Sequence, residues 1–130
     1  MSPSREERIE AAVTRMVKAV VPNTTNHYDT LFGGTLLSWM DEIAFITATR
    51  FGRCPFVTVS AGRTDFKHPI PSGSIVELIG QVEHVGNTSV KVRVDVHREG
   101  MYSDKRILAV SGVFTMVAID ENNQPRQLGI

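Results

Sequence analysis

Asn26-His27-Tyr28-Asp29-Thr30-Leu31-Phe32-Gly33-Gly34, with the run that follows from Thr35 to Phe51, decides how this chain is read. Two adjacent glycines carry no Cβ, so the backbone there can turn tightly or approach a ligand closely. The run after them contains neither Pro nor Gly and is long enough for a helix of about four and a half turns. At 100° per residue, Leu36, Leu37, Met40, Ile43, Ala44, Thr47, Ala48 and Phe51 fall on one broad apolar stripe. Ser38, Glu42 and Thr49 fall opposite it, while Trp39 and Ile46 lie outside both. So apolar a helix is expected to be wrapped by other structure. Asp41 sits at the edge of the stripe, roughly 10 Å along the axis from Gly34 and on the same face. Glu42 is rotated about 100° towards the polar side. An aspartate at a core boundary is either an ordinary half-exposed acid or a functional one.

The 130 residues fit a single domain, 1–130, with a core over about 13–119. Formal net charge is zero and the pI is near 6.9, which argues against nucleic acid or an anionic membrane as partner. No apolar run reaches membrane-spanning length, and the polar start, Met1 to Arg8, has no signal-peptide hydrophobic segment. A cytoplasmic location is therefore expected. Cys54 is the single cysteine and reads as an inert thiol beside Pro55. His27, His68, His84 and His97 show no zinc-like spacing, so no metal is expected. No Gly-x-Ser-x-Gly nucleophile elbow occurs.

Ser4 and Glu7 match a capping box and predict a short N-terminal helical turn. Val13 to Val21 reads as a strand ended by Pro22, and a polar loop, 23–30, leads to the glycines. After the long helix and a turn at 52–55, four strands are predicted: Phe56–Phe66, Ile75–Val85, Ser89–Arg98 and Arg106–Ile119. Pro69, Pro71 and Gly73 bend the chain between the first two, and Gly86-Asn87 marks a hairpin. Val90, Val92, Val94 and Val96 alternate with Lys91, Arg93, Asp95 and His97, the pattern of a half-buried antiparallel strand. The tail from Asp120 is polar and reads as a surface extension. The order predicts an α+β fold, an antiparallel sheet curled around one central helix. Its open edges imply self-association.

These residues resemble the hotdog-fold acyl-CoA thioesterases, in the branch of bacterial acyl-CoA thioester hydrolases and brain-type acyl-CoA hydrolases. The resemblance rests on Asn26, Phe32-Gly33-Gly34 and Trp39-Met40-Asp41-Glu42. Val57-Thr58-Val59, Asp65-Phe66 with Pro69 and Gly73, and Gly86-Asn87-Thr88-Ser89 extend it over roughly 13–119. Asp29 departs from it, standing where many relatives have Gly. The resemblance implies hydrolysis of acyl-CoA to CoA and a carboxylic acid without metal or further cofactor. It implies Asp41 as general base or nucleophile and Asn26 as a group that positions water or the carbonyl. Phe32, Thr58 and Gly86-Asn87-Thr88-Ser89 would line the substrate, with Arg63, Lys67, His68 and Lys91 as candidates for the CoA phosphates. A homodimer assembled further into a hexamer or tetramer is implied, with Asn26 and Asp41 supplied by opposite subunits.

The chemistry is sound from the residues. A thioester carbonyl under attack gathers negative charge, and N–H groups at a helix N-terminus are preorganised to receive it. Gly33 and Gly34 would let the thioester approach such donors. An ionised Asp41 can activate water or attack directly. Asn26 offers a donor and an acceptor, suited to holding water or to capping its own loop. The Gly86–Ser89 turn is either a CoA cradle or an ordinary hairpin. Two other readings stay open: a non-catalytic acyl-CoA-binding module, and a hotdog hydroxyacyl dehydratase using His27.

Overall fold

The structure is a computed structural model and describes residues 2–130; Met1, the first residue of the expected domain, lies outside them. A short helix α1 (Arg5–Ala12) is followed by β1 (Thr14–Ala19), the long helix α2 (Gly33–Gly52), β2 (Phe56–Phe66), β3 (Ser74–Val85), β4 (Ser89–Gly100) and β5 (Arg106–Ala118). All neighbouring strands are antiparallel, in the order β1-β3-β4-β5-β2. Helix α2 packs across one face of this sheet, the arrangement of a hotdog fold.

The predicted stripe on α2 is the buried one: Leu36, Met40, Ile43, Ala44, Thr47, Ala48 and Phe51 are all buried, and Leu37 is half-buried. Val90, Val92, Val94 and Val96 are fully buried against it from β4, joined by Val76, Leu78, Phe114 and Met116. Period-two and period-3.6 patterns meet here because each buries its apolar side against the other. Two glycines on the sheet let the helix sit close. A Cβ on Gly80 would run into Thr47 and come within 2.7 Å of Ile43 Cγ2. One on Gly112 would stand 3.3 Å from Met40 Cε and 2.9 Å from Thr64 Oγ1.

The structure differs from the sequence reading in four places. The Ser4–Glu7 capping box starts an eight-residue helix, longer than a turn, because Ala12 is buried and Arg8 donates to the Phe51 carbonyl at the end of α2. Helix α2 begins at Gly33, so the two glycines are its first residues and neither has a positive φ. No tight turn is made there. Helix α2 is also not wrapped on all sides, since Phe45 on its outer side is 46% exposed. The polar tail doubles back: Arg126 N–H donates to Ala118 O and Leu128 N–H to Asn87 O, with Leu128 and Ile130 packed against the core.

The sheet has two unlike edges. Strand β2 is exposed along most of its length, with Val57, Val59 and Phe66 at 41%, 56% and 54% exposure. Its pairing with β5 shifts register twice, between Thr58 and Ser60 and between Ala61 and Thr64. Bulges twist an edge away from flat pairing.

Candidate active site

Asp41 is half-buried on α2, one residue beyond the fully buried Met40. The Oγ1 of Thr58, on edge strand β2, donates to Asp41 Oδ1 at 2.7 Å and also lies 3.3 Å from Met116 Sδ. Thr58 faces the helix because it is in register with the buried Met116, itself opposite the buried Val90. Glu42 is exposed and shares no such contact. The pair leaves Asp41 Oδ2 without a protein donor among the described residues. A carboxylate held by one hydroxyl with a free oxygen can accept a proton from water or attack a carbonyl.

Asn26 serves its own loop. Its Oδ1 accepts from Tyr28 N–H (2.9 Å), Thr30 N–H (3.3 Å) and Thr30 Oγ1 (3.1 Å). The capping role is therefore present, and the amide NH2 is the part left to meet a ligand. The loop is a small antiparallel ladder, Asn26 N–H to Thr30 O, Thr25 opposite Leu31, and Phe32 N–H to Thr24 O. This fixes Asn26 beside the start of α2. Asp29 takes φ 59°, the left-handed region, and its carbonyl accepts from Ser72 N–H at 3.0 Å. A glycine adopts that conformation without steric cost.

Gly33 and Gly34 present N–H groups at the N-terminus of α2, where no side chain caps them. The Phe32 ring, 55% exposed, lies over Gly34. An apolar cleft of about 270 Å³ opens beside them, lined by Leu31, Leu36, Phe66, Ile70 and Val110, with Lys67 and His68 at its rim.

The other expected residues fall into two groups at opposite ends of the sheet. Lys67 and His68 donate their backbone N–H groups to Ala109 O, and the exposed Arg63 is spent on Asp65 at 2.8 Å. Gly86, Asn87, Thr88, Ser89 and Lys91 form the β3–β4 hairpin at the far end, where Ser89 pairs with Val117. Gly86 N–H is bonded to Ser89 O, and the Asn87 and Thr88 carbonyls accept from Leu128 and Ala118. The turn thus has fewer free backbone donors than its sequence suggested. One protomer does not bring both groups to one ligand. No three of His, Cys, Asp and Glu gather as a metal site among the described residues. No described helix is long and apolar enough to cross a membrane.

A thioesterase superfamily profile matches residues 28–104. An uncharacterized acyl-CoA thioester hydrolase of Bacillus subtilis, YkhA, is 42% identical over 106 residues, 82% of this chain. The chain spans 62% of that relative's length and 60% of a Helicobacter pylori relative's. Among solved structures, an apo-hexameric acyl-CoA thioesterase is 39% identical with a TM-score of 0.89, over 92% of this chain and 76% of that one. The acyl-CoA hydrolase of Staphylococcus aureus, in complex with butyryl-CoA, CoA and CoA disulfide, is 34% identical with a TM-score of 0.87, over 92% and 73%. Further structures of that hydrolase carry alanine in place of one asparagine, one aspartate or one threonine. Those three positions are 15 and 17 residues apart, the separations of Asn26, Asp41 and Thr58.

Proposed function

Because the chain belongs to the thioesterase superfamily, we propose that it hydrolyses acyl-CoA to free CoA and a carboxylic acid. The observation that carries this reading is the 2.7 Å bond from Thr58 to Asp41, which aims one carboxylate oxygen and leaves the other free. In the general-base course, Asp41 takes a proton from water, the hydroxide adds to the thioester carbonyl, and the C–S bond breaks. The proton returns through Asp41 to the CoA thiolate. In the nucleophilic course Asp41 itself adds to the carbonyl, and the C–S bond breaks to expel the CoA thiolate. Water then cleaves the mixed anhydride to the acid and Asp41, its released proton balancing the thiol. The N–H groups of Gly33 and Gly34 receive the charge on oxygen in both. No cofactor beyond the CoA of the substrate enters either course.

Two copies make one site in this reading. A tetrahedral centre within about 3 Å of both base and oxyanion donors spans roughly 6 Å. Gly34 and Asp41 of one chain are roughly 10 Å apart along the helix axis. Asn26 and Gly33-Gly34 of one protomer therefore face Asp41 and Thr58 of its partner. The unpaired, apolar β2 edge favours a dimer, and the hexameric neighbours favour three dimers over a tetramer. A cytoplasmic location accompanies the reading, where the free thiol of Cys54 stays reduced.

Thiol release from acetyl-, hexanoyl- and palmitoyl-CoA, followed with a thiol reagent, is the test. Turnover on at least one substrate is expected, falling about 100-fold or more in Asp41→Asn. Binding without thiol release would leave a non-catalytic acyl-CoA module. Dehydration of a hydroxyacyl-CoA without thiol release would leave the dehydratase.

A further inference from the structure

We infer that a second cleft, at the β4–β5 end of the sheet, is the phosphate site for the nucleotide half of CoA, with Arg98 and Lys105 as its cations. The inference rests on the thioesterase reading for the position of the thioester. The cleft measures about 310 Å³ and is lined by Arg98, Lys105, Ser74, Ser103, Glu99 and Ile107, among others. Arg98 is in register with Val76 and Ile107 on the face that carries α2, because Val76 belongs to the core. Its Nη1 donates to the Pro69 carbonyl, which orients the guanidinium without neutralising it.

The cations of this cleft are not spent on carboxylates, unlike four of the other arginines. Arg15, Arg63, Arg93 and Arg106 all pair with carboxylates. Glu99, the one acid lining the cleft, is held by Arg106 at 3.3 Å. Neither Arg98 nor Lys105 has a carboxylate within 4 Å among the described residues. Ser103 Oγ accepts from Lys105 N–H at 3.2 Å, so its own hydrogen is free to donate. A phosphate here meets two uncompensated cations and a hydroxyl, the partners a dianion needs.

The distance also fits. Segment 67–71 separates this cleft from the apolar one beside α2. Thr30 is bridged to Pro71, and Gly33 lies three residues after Thr30. Three extended residues reach at most about 11 Å, and the bridge adds about 5 Å, so Pro71 is within roughly 16 Å of Gly33. From the sulfur of CoA to its first phosphorus is about thirteen bonds, roughly 14–16 Å at the reach of an extended backbone. With the thioester at Gly33-Gly34, the diphosphate is within reach of the Pro71 side of this cleft. The β3–β4 hairpin with Lys91 lies at the opposite end of the sheet.

The experiment compares wild type with Arg98→Gln and Lys105→Gln. Calorimetry gives the Kd of CoA, and thiol release gives kcat/KM on butyryl-CoA and butyryl-pantetheine. Each variant is expected to weaken CoA about tenfold, the usual effect of losing one charged hydrogen bond, and to lower the CoA-to-pantetheine ratio of kcat/KM to match. The salt dependence of CoA binding should flatten in both. Lys105 is exposed, so its variant tests the cleft even where Arg98→Gln disturbs the segment at Pro69. Unchanged CoA affinity in both variants overturns the assignment, as does equal weakening on the two substrates. If wild type releases thiol from no substrate, the thioesterase reading falls instead, and the calorimetric arm still decides the cleft.

Discussion

Thr58 Oγ1 donates to Asp41 Oδ1 at 2.7 Å, joining the central helix to the most exposed strand of the sheet. Thr58→Val deletes that donor in nearly constant shape and should lower kcat about 10- to 100-fold, as for other hydrogen bonds to a charged group. Thr58→Ser should restore most of it. Asp41→Asn should cost about 100-fold or more, while Glu42→Gln, exposed and rotated away, should not. Steady-state thiol release reads all four, and a Thr58→Val enzyme with wild-type kcat would detach Thr58 from the chemistry.

Gly33 and Gly34 separate under substitution. A Cβ on Gly33 meets nothing within 4 Å, whereas one on Gly34 comes 2.9 Å from Phe32 Cε1. Neither φ is positive, so alanine strains no backbone and should stabilise the first turn slightly. Gly34→Ala is expected to lose about tenfold or more in kcat/KM by turning the Phe32 ring into the approach to the helix N-terminus. Gly33→Ala should lose less. The double variant Phe32→Ala/Gly34→Ala should recover activity if the ring is the obstacle.

Asp29 holds φ 59°. Asp29→Val should cost about 1–2 kcal/mol of stability, because a β-branched residue fits the left-handed region poorly. Asp29→Gly should fold at least as well as wild type. Thermal unfolding of the two variants checks the order.

His97, on the outer face of the sheet, has its pKa lowered from 6.5 by burial first and by Arg106 second, against the pull of Asp95 and Glu77, with Arg15 adding slightly. Its Nδ1 is buried without a partner. The folded state thus disfavours the imidazolium. Above 6.5 both folded and unfolded chains carry it neutral and nothing is lost. As pH falls below 6.5 the unfolded chain binds the proton first, so stability declines until the folded pKa is passed. His97→Gln should flatten the fall of Tm between pH 7 and pH 5. A slope unchanged by the substitution would assign the pH dependence to other groups.

A mixed dimer tests the shared site. Asn26→Ala and Asp41→Asn chains, co-expressed with different tags and purified as the heterodimer, should regain about half of wild-type activity. One site then collects both defects and the other is intact. No recovery in a folded heterodimer would put both residues on one chain.

The core was legible because its patterns admit one arrangement. Val90 to Val96 alternate with period two, and the stripe from Leu36 to Phe51 has period 3.6, so each defines a face. Asp41 was visible as an acid at the edge of that stripe. The Thr58 bond was not, since nothing in Val57-Thr58-Val59 says which helical residue it meets. That contact comes from the sheet order, which places β2 beside β5 and Thr58 opposite Met116. The start of α2 was misread because glycines suggest turns, whereas here they are ordinary helical residues chosen for what they leave uncovered. The basic residues were read as one group, but strand register sends Lys67 and Lys91 to opposite ends. Arg98 gave no signal, because only the pairing of β4 with β5 brings it to one cleft with Lys105.

Helix α2 is keyed to the sheet at two points, Met40 on Gly112 and Thr47 with Ile43 on Gly80. Asp41 lies between the keys. Its angular setting is therefore indexed by two strand positions remote from it in sequence, much as a shaft is clocked by its keyways. A methyl group on Gly80 would lift or rotate the helix and carry the carboxylate off Thr58, whereas one on Gly112 would press first on Thr64 and the flexible end of Met40. An inserted residue between Met40 and Ile43 would turn one key about 100° against the other. The helix could then seat at one end only, and the aspartate would be mistimed without any change at the aspartate itself.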